Sequence, residues 1–156
     1  EFDKATAARS EGKNKLAAFY AGAIAHYVGD LSQFCHIMGS QSHWGSEDQS
    51  LHGKYEVAVE KSIKVQTRSL TLFDGFINEV NVEGDSPEEI ARAVAAYVEE
   101  GNSGRTPGWM HGRYASLIGQ GKHLNFTDWD AGFRTQTRQN VNVAINGIAK
   151  LLRMLQ

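Results

Sequence analysis

The sequence predicts an all-α protein, a multi-helix bundle folded as a single domain over residues 1–156. Three observations carry that reading. Apolar residues recur at intervals of three and four through long stretches of the chain, the period of an amphipathic helix. Only two of the 156 residues are proline. Ser86-Pro87-Glu88-Glu89 is a helix start in itself, with Ser86 as N-cap, Pro87 in the first turn and Glu89 as the partner of a capping box. Hydrophobic residues make up 41% and charged residues 22% of the chain, the proportions of an ordinary globular domain.

Residues 1–13 are polar and charged and show no period, so no element is expected there. From Asn14 to about Leu31 the pattern is helical, with Leu16, Phe19, Tyr20, Ala23, Ile24 and Tyr27 as its inner face. Residues 32–50, rich in Gly, Ser and Gln, read as a loop. A second helix is expected from about Leu51 to Glu79, facing inward through Tyr55, Val59, Ile63, Leu70, Phe73 and Ile77, with Gly75 weakening its far end. The helix opened by Ser86 carries Ile90, Val94, Tyr97 and Val98 and stops near Gly101. Residues 101–125 hold six glycines and a proline and read as mostly irregular. Asp128 is expected to open the last helix, whose stripe is Phe133, Thr137, Val141, Ala144, Ile145, Ile148, Leu151, Leu152 and Leu155. The expectation is four main helices around one core.

Composition excludes several roles. A net charge of −2 and the lack of any basic run interleaved with aromatics argue against tight duplex nucleic-acid binding. Cys35 is the single cysteine, so no intrachain disulfide forms. No apolar run is long enough to span a bilayer, and no signal peptide stands at the start. The chain opens at Glu1-Phe2 without an initiator Met and is expected to be a mature, processed or cloned part of something longer.

The chemistry gathers in one stretch: four of the six histidines lie between positions 26 and 52. His26 and Asp30 are spaced i, i+4 on the first strong helix, so they share one ridge, and His52 and Glu56 repeat the spacing on the second. His36 lies between the pairs. Imidazole and carboxylate are ligands that zinc accepts. Asp30 closes a stretch, Tyr20 to Gly29, that is almost wholly apolar, and a carboxylate there is costly to bury unless paired or metal-bound. A lone His-x-x-x-Asp pair is commonly just a surface hydrogen bond; two such pairs with a histidine between them point to a metal site. Cys35 is capable of ligating as thiolate, but reads first as a small buried hydrophobe. His43, His111 and His123, in Gly-rich surroundings, read as surface or supporting histidines. Phe34, Met38 and Trp44 fit either a core or an apolar rim for a lipid interface.

The string His26-Tyr27-Val28-Gly29-Asp30-Leu31-Ser32-Gln33-Phe34-Cys35-His36, followed by His52-Gly53-Lys54-Tyr55-Glu56, resembles the signature of the bacterial zinc-dependent phospholipases C, relatives of the S1/P1 nucleases. The pattern is H-x-x-x-D-x-x-Q-x-x-H, a loop, then H-x-x-x-E. The resemblance runs roughly over residues 14–156, more loosely at Thr106-Pro107-Gly108-Trp109 and the closing helix. It implies the all-α phospholipase C / P1 nuclease fold and a cluster of up to three zinc ions (Zn2+), at least one of them in this chain. His36, His52 and Glu56 would hold one zinc; His26 and Asp30 would serve the other two, with Asp30 bridging them. Asp30 is also the candidate catalytic residue, placed to orient the attacking water. The family's remaining ligands, a Trp, a His, an Asp and a second His, lie upstream of these and have no match here. The chain is thus expected to be the C-terminal part of the family domain, completed by a further segment or a second chain. Phe34 stands where the family usually has Pro.

The activity so implied is phosphodiester hydrolysis by a zinc-activated water, on a glycerophospholipid met as monomer or at a membrane surface, giving diacylglycerol and a phosphorylated head group. A secreted or extracytoplasmic location goes with it. Two alternatives stay open: an S1/P1-like single-strand nuclease, disfavoured by Glu56 where the nucleases typically carry Asp, and a non-catalytic, zinc-stabilised helical fragment or binding module.

Overall fold

Seven α-helices and no strand are present among the residues described by the computed structural model, which are 1–38, 48–63 and 78–156, the side chains of 48–50 and 63 excepted. They are α1 (Phe2–Ser10), α2 (Asn14–Asp30), α3 (Phe34–Ile37), α4 (Asp48–Ile63), α5 (Pro87–Glu100), α6 (Pro107–Gly119) and α7 (Ala131–Met154). The all-α expectation holds; the count of four main helices does not.

Three helices form where the sequence reads as loop or irregular: α1, α6 and the single turn of α3, which lies in the expected 32–50 loop. Residues 2–10 make α1, whose buried face is only Ala5 and Ala8. Alanine is the best helix former, but side chains this small leave little hydrophobic period. The Arg9 guanidinium hydrogen-bonds the Leu155 carbonyl and so clips α1 to the end of α7. The second is α6. Thr106 caps it by accepting from the Trp109 amide, Pro107 fills the first turn, and Met110, Tyr114 and Leu117 are buried on one face. That apolar stripe outweighs Gly108 and Gly112.

Other boundaries and faces also move. The Ser86 capping box forms as expected, with the Ser86 side chain accepting from the Glu89 amide and the Glu89 carboxylate accepting in return. Helix α5 buries Ile90, Val94 and Val98, while Tyr97 stays partly exposed. The last helix is capped by Asp130, not Asp128, which ends a short 3-10 turn. Helix α4 starts at Asp48, before the expected Leu51. Leu70, Phe73, Gly75 and Ile77 lie outside the described residues, and Asn78 and Glu79 are not helical.

The inner face of α2 is rotated from the expected one: Ile24 and Val28 are buried, whereas Phe19 and Tyr27 are 69% and 60% exposed. The helix is apolar nearly all round, so its period does not specify which side meets the core. On α7, Phe133, Thr137, Ala144 and Leu151 are buried as expected, but Ile145 and Leu152 face outward, and the polar Gln136, Asn140 and Asn142 are buried instead.

Two clusters, not one, form the core. The first is aliphatic: Ile24 and Val28 of α2, Ile90, Val94 and Val98 of α5, and Val143, Ala144 and Leu151 of α7. Gly147 lets α5 approach α7, since a Cβ there would meet Val94 Cγ2 at 2.7 Å. The second is aromatic: Phe34, Tyr55, Tyr114, Trp129 and Phe133, with Leu51, Ala58, Met110 and Leu117. This second cluster holds α3 against α6 and α4.

Candidate metal centre

The aromatic cluster aims the site. Helix α2 ends at Asp30, and Ser32 Oγ donates to the Gly29 carbonyl at 2.6 Å to close the turn. Gln33 is extended, φ −94° and ψ 124°, which ends the helical run and redirects the chain into the single turn of α3. Phe34 then plugs into the aromatic cluster, fully buried, and His36 follows two residues on. On α4, Leu51 and Tyr55 go into the same cluster, so the adjacent His52 and Glu56 lie at its edge. Of the two readings of Phe34 and Met38 the core one holds: Phe34 is buried and Met38 packs against the same core, as does Cys35. Trp44 and His43 lie outside the described residues.

The structure brings His36, His52 and Glu56 together, with one ligand atom from each within 4.8 Å of the others. His52 Nε2 is 2.9 Å from Glu56 Oε1, His36 Nε2 is 3.8 Å from the same oxygen, and the two imidazole rings stand perpendicular with centroids 4.5 Å apart. Gln33 Nε2 donates to Glu56 Oε1 at 3.3 Å. The histidine side chains are 18% and 17% exposed, and Glu56 is 44% exposed. The centre therefore has a sheltered nitrogen side and an open oxygen side.

Burial holds the His36 imidazole below its ordinary pKa, and the neighbouring His52 adds to this; Asp30 and Glu56 pull the other way without prevailing. The neutral ring is the form that ligates a metal. Two imidazoles and a carboxylate match zinc chemistry, so these residues fit the ion.

His26 and Asp30 form a separate pair, His26 Nε2 to Asp30 Oδ2 3.5 Å, with the His26 side chain 71% exposed. They do not join the three-residue group within bonding range of one metal. Both line a cleft of about 610 Å³ that also takes in Gln33, Tyr55, Glu56 and Glu60. Glu60 is a cleft residue the sequence reading missed. Its signal was its place one turn beyond Glu56, on the ridge of His52. Outside the centre, the His111 ring lies against Phe34, and the His123 carbonyl accepts from Trp129 Nε1 at 3.0 Å. Through these contacts both residues touch the aromatic core.

A family profile described as zinc dependent phospholipase C matches residues 2–104. The match contains all five expected ligands and ends before α6 and α7. No curated protein and no solved structure matches the chain.

Proposed function

The chain belongs to the zinc-dependent phospholipase C family, and on that premise we propose that it serves a zinc-dependent phosphodiester hydrolase that cleaves glycerophospholipids to diacylglycerol and a phosphorylated head group. The observation that carries the reading is the His36–His52–Glu56 group, three zinc-type donors meeting within the family-matched span. Zinc, when bound, supplies Lewis acidity toward phosphate oxygens and a lowered pKa for the attacking water. The chain's own residues do the rest. Burial favours the neutral, ligating form of the His36 imidazole. Asp30, beside His26 on the wall of the cleft, offers a carboxylate oxygen that orients an attacking water by accepting its hydrogen bond. The cleft is large enough for a phosphodiester head group and is lined by the carboxylates of Asp30, Glu56 and Glu60 and the imidazole of His26, with no Lys or Arg, which favours a metal-neutralised phosphate over direct binding by cations.

Among the described residues the His26–Asp30 pair reaches no third ligand of the three-residue group, and a catalytic zinc takes about three protein ligands. The proposal therefore includes further ligands, from another segment or a second chain, to complete the cluster. It includes an extracytoplasmic place of action as well. No helix among the described residues is long and apolar enough to cross a membrane.

The test is hydrolysis of mixed phospholipid vesicles with zinc present, read as release of water-soluble phosphorylated head group, with single-stranded DNA assayed in parallel. Head-group release that chelator abolishes is the expected result. DNA digestion with lipid untouched transfers the reading to a nuclease. Tight zinc binding with neither substrate cleaved, by this chain or by one carrying the further ligands, leaves a metal-stabilised binding module.

A further inference from the structure

One residue bonds three of the five expected ligands, through three different groups. The Gln33 backbone amide donates to the Asp30 carbonyl at 2.9 Å, the Gln33 carbonyl accepts from the His36 amide at 3.0 Å, and the Gln33 side-chain amide donates to Glu56 Oε1 at 3.3 Å. We propose that Gln33 is a positioning residue of the metal centre, whose side-chain amide holds Glu56 in its ligating orientation while its backbone sets Asp30 and His36 on either side. The inference rests on the reading of His36, His52 and Glu56 as a zinc centre.

Glu56 is the ligand most in need of such a hold. It is the most exposed of the three, and a glutamate on an open helix face has several rotamers to lose. Its other neighbour is His52, whose Nε2 lies on the same oxygen at 2.9 Å. A ring nitrogen that ligates a metal has no proton to donate to Glu56. Once Nε2 ligates, the Gln33 amide is the remaining partner of Oε1 given by this geometry. Partners of this kind tune metal affinity by orienting the ligand.

A second observation separates this role from packing. Gln33 Oε1 is buried and meets no hydrogen-bond donor among the described residues. A buried carbonyl without a donor opposes folding, so an apolar side chain of equal length would suit the metal-free fold at least as well. The amide earns its place through its donor end, which faces Glu56.

The experiment replaces Gln33 with Met, similar in length and without a donor, and with Asn, which keeps the amide but shortens its reach by one methylene. Zinc affinity is measured by competition with a chromogenic chelator, the ligand field by the visible spectrum of the cobalt(II) form, and metal-free stability by thermal melting in chelator. Expected for Gln33→Met is zinc affinity weaker by roughly 10–100-fold, an altered cobalt spectrum, and a metal-free melting temperature equal to or above the wild type. Gln33→Asn is expected to lose affinity in the same direction. Wild-type affinity and spectrum in either variant overturns the inference. So does a fall in metal-free stability with unchanged affinity, which is the mark of a packing role. A wild-type chain that takes up no zinc overturns the metal-centre reading as well, and so distinguishes the two failures.

Discussion

The rings of Phe34 and Tyr55 meet edge to face with centroids 4.7 Å apart, and that contact joins the two arms of the metal centre. Phe34 stands two residues before His36; Tyr55 stands three after His52 and one before Glu56. Both rings are buried in the aromatic cluster, so the separation of the ligands is set by hydrophobic packing before any ion binds. Replacing Phe34 with Ala is expected to cost roughly 3–5 kcal/mol of stability and to weaken zinc binding, because α3 loses its anchor. Denaturant unfolding in chelator measures the first effect, and a zinc titration of the folded variant measures the second. Wild-type zinc affinity in a destabilised variant would show that α3 is held by other contacts.

His52 is central to the same group. The purified wild-type chain is expected to carry at least one zinc, and His52→Ala to carry none at this centre. Adding zinc at about a hundred times its dissociation constant should stabilise the wild type by about 2.7 kcal/mol and leave His52→Ala unmoved. Elemental analysis and melting with and without zinc are the checks; an equal zinc content in the two proteins contradicts the assignment.

The pH dependence has a definite sign. Burial lowers the His36 pKa below its ordinary value of 6.5, so the unfolded chain binds this proton more readily than the folded one. The stabilising contribution of neutral His36 is thus fully present above about pH 6.5 and is lost as pH falls through the lowered folded-state pKa. Metal-free protein should lose stability on acidification across that window, and His36→Gln should flatten this component. Unfolding curves collected from pH 8 to 5 decide it; an unchanged slope in the variant would locate the acid sensitivity elsewhere.

Outside the metal group, α7 holds the non-helical stretch of residues 78–82. Asn142 Oδ1 accepts from the Asn78 amide at 3.1 Å, its Nδ2 donates to the Asn78 carbonyl at 3.2 Å, and one turn on Asn146 Oδ1 accepts from the Val80 amide at 3.2 Å. Lys150 continues the row by donating to the Val82 carbonyl at 2.8 Å. Asn142→Ala removes a buried amide that serves both backbone groups of Asn78 and is expected to cost roughly 1–3 kcal/mol. Zinc affinity should stay as in the wild type. A joint loss of stability and affinity would reveal coupling between this clamp and the centre.

What the sequence determined alone is what depends on neighbours along the chain. The pairs His26–Asp30 and His52–Glu56 were legible because residues four apart on a helix share a ridge, and both meet, at 3.5 and 2.9 Å. The Ser86 capping box was legible for the same reason, its partners being three residues apart. Local pattern failed where it was weak or ambiguous. The small side chains Ala5 and Ala8 of α1 left no period to read, Gly108 and Gly112 masked α6, and the nearly all-apolar α2 gave no phase for its buried face. The family resemblance implied that His36 groups with His52 and Glu56, apart from His26 and Asp30; spacing alone did not. Only the tertiary structure decided how the three meet while the other two line the cleft wall as a separate pair. That choice is made by Phe34, Tyr55, Tyr114, Trp129 and Phe133, which come from four separate regions of the chain. Their burial against one another has no signature in spacing, because hydrophobic attraction is not directional and becomes specific only when the side chains pack.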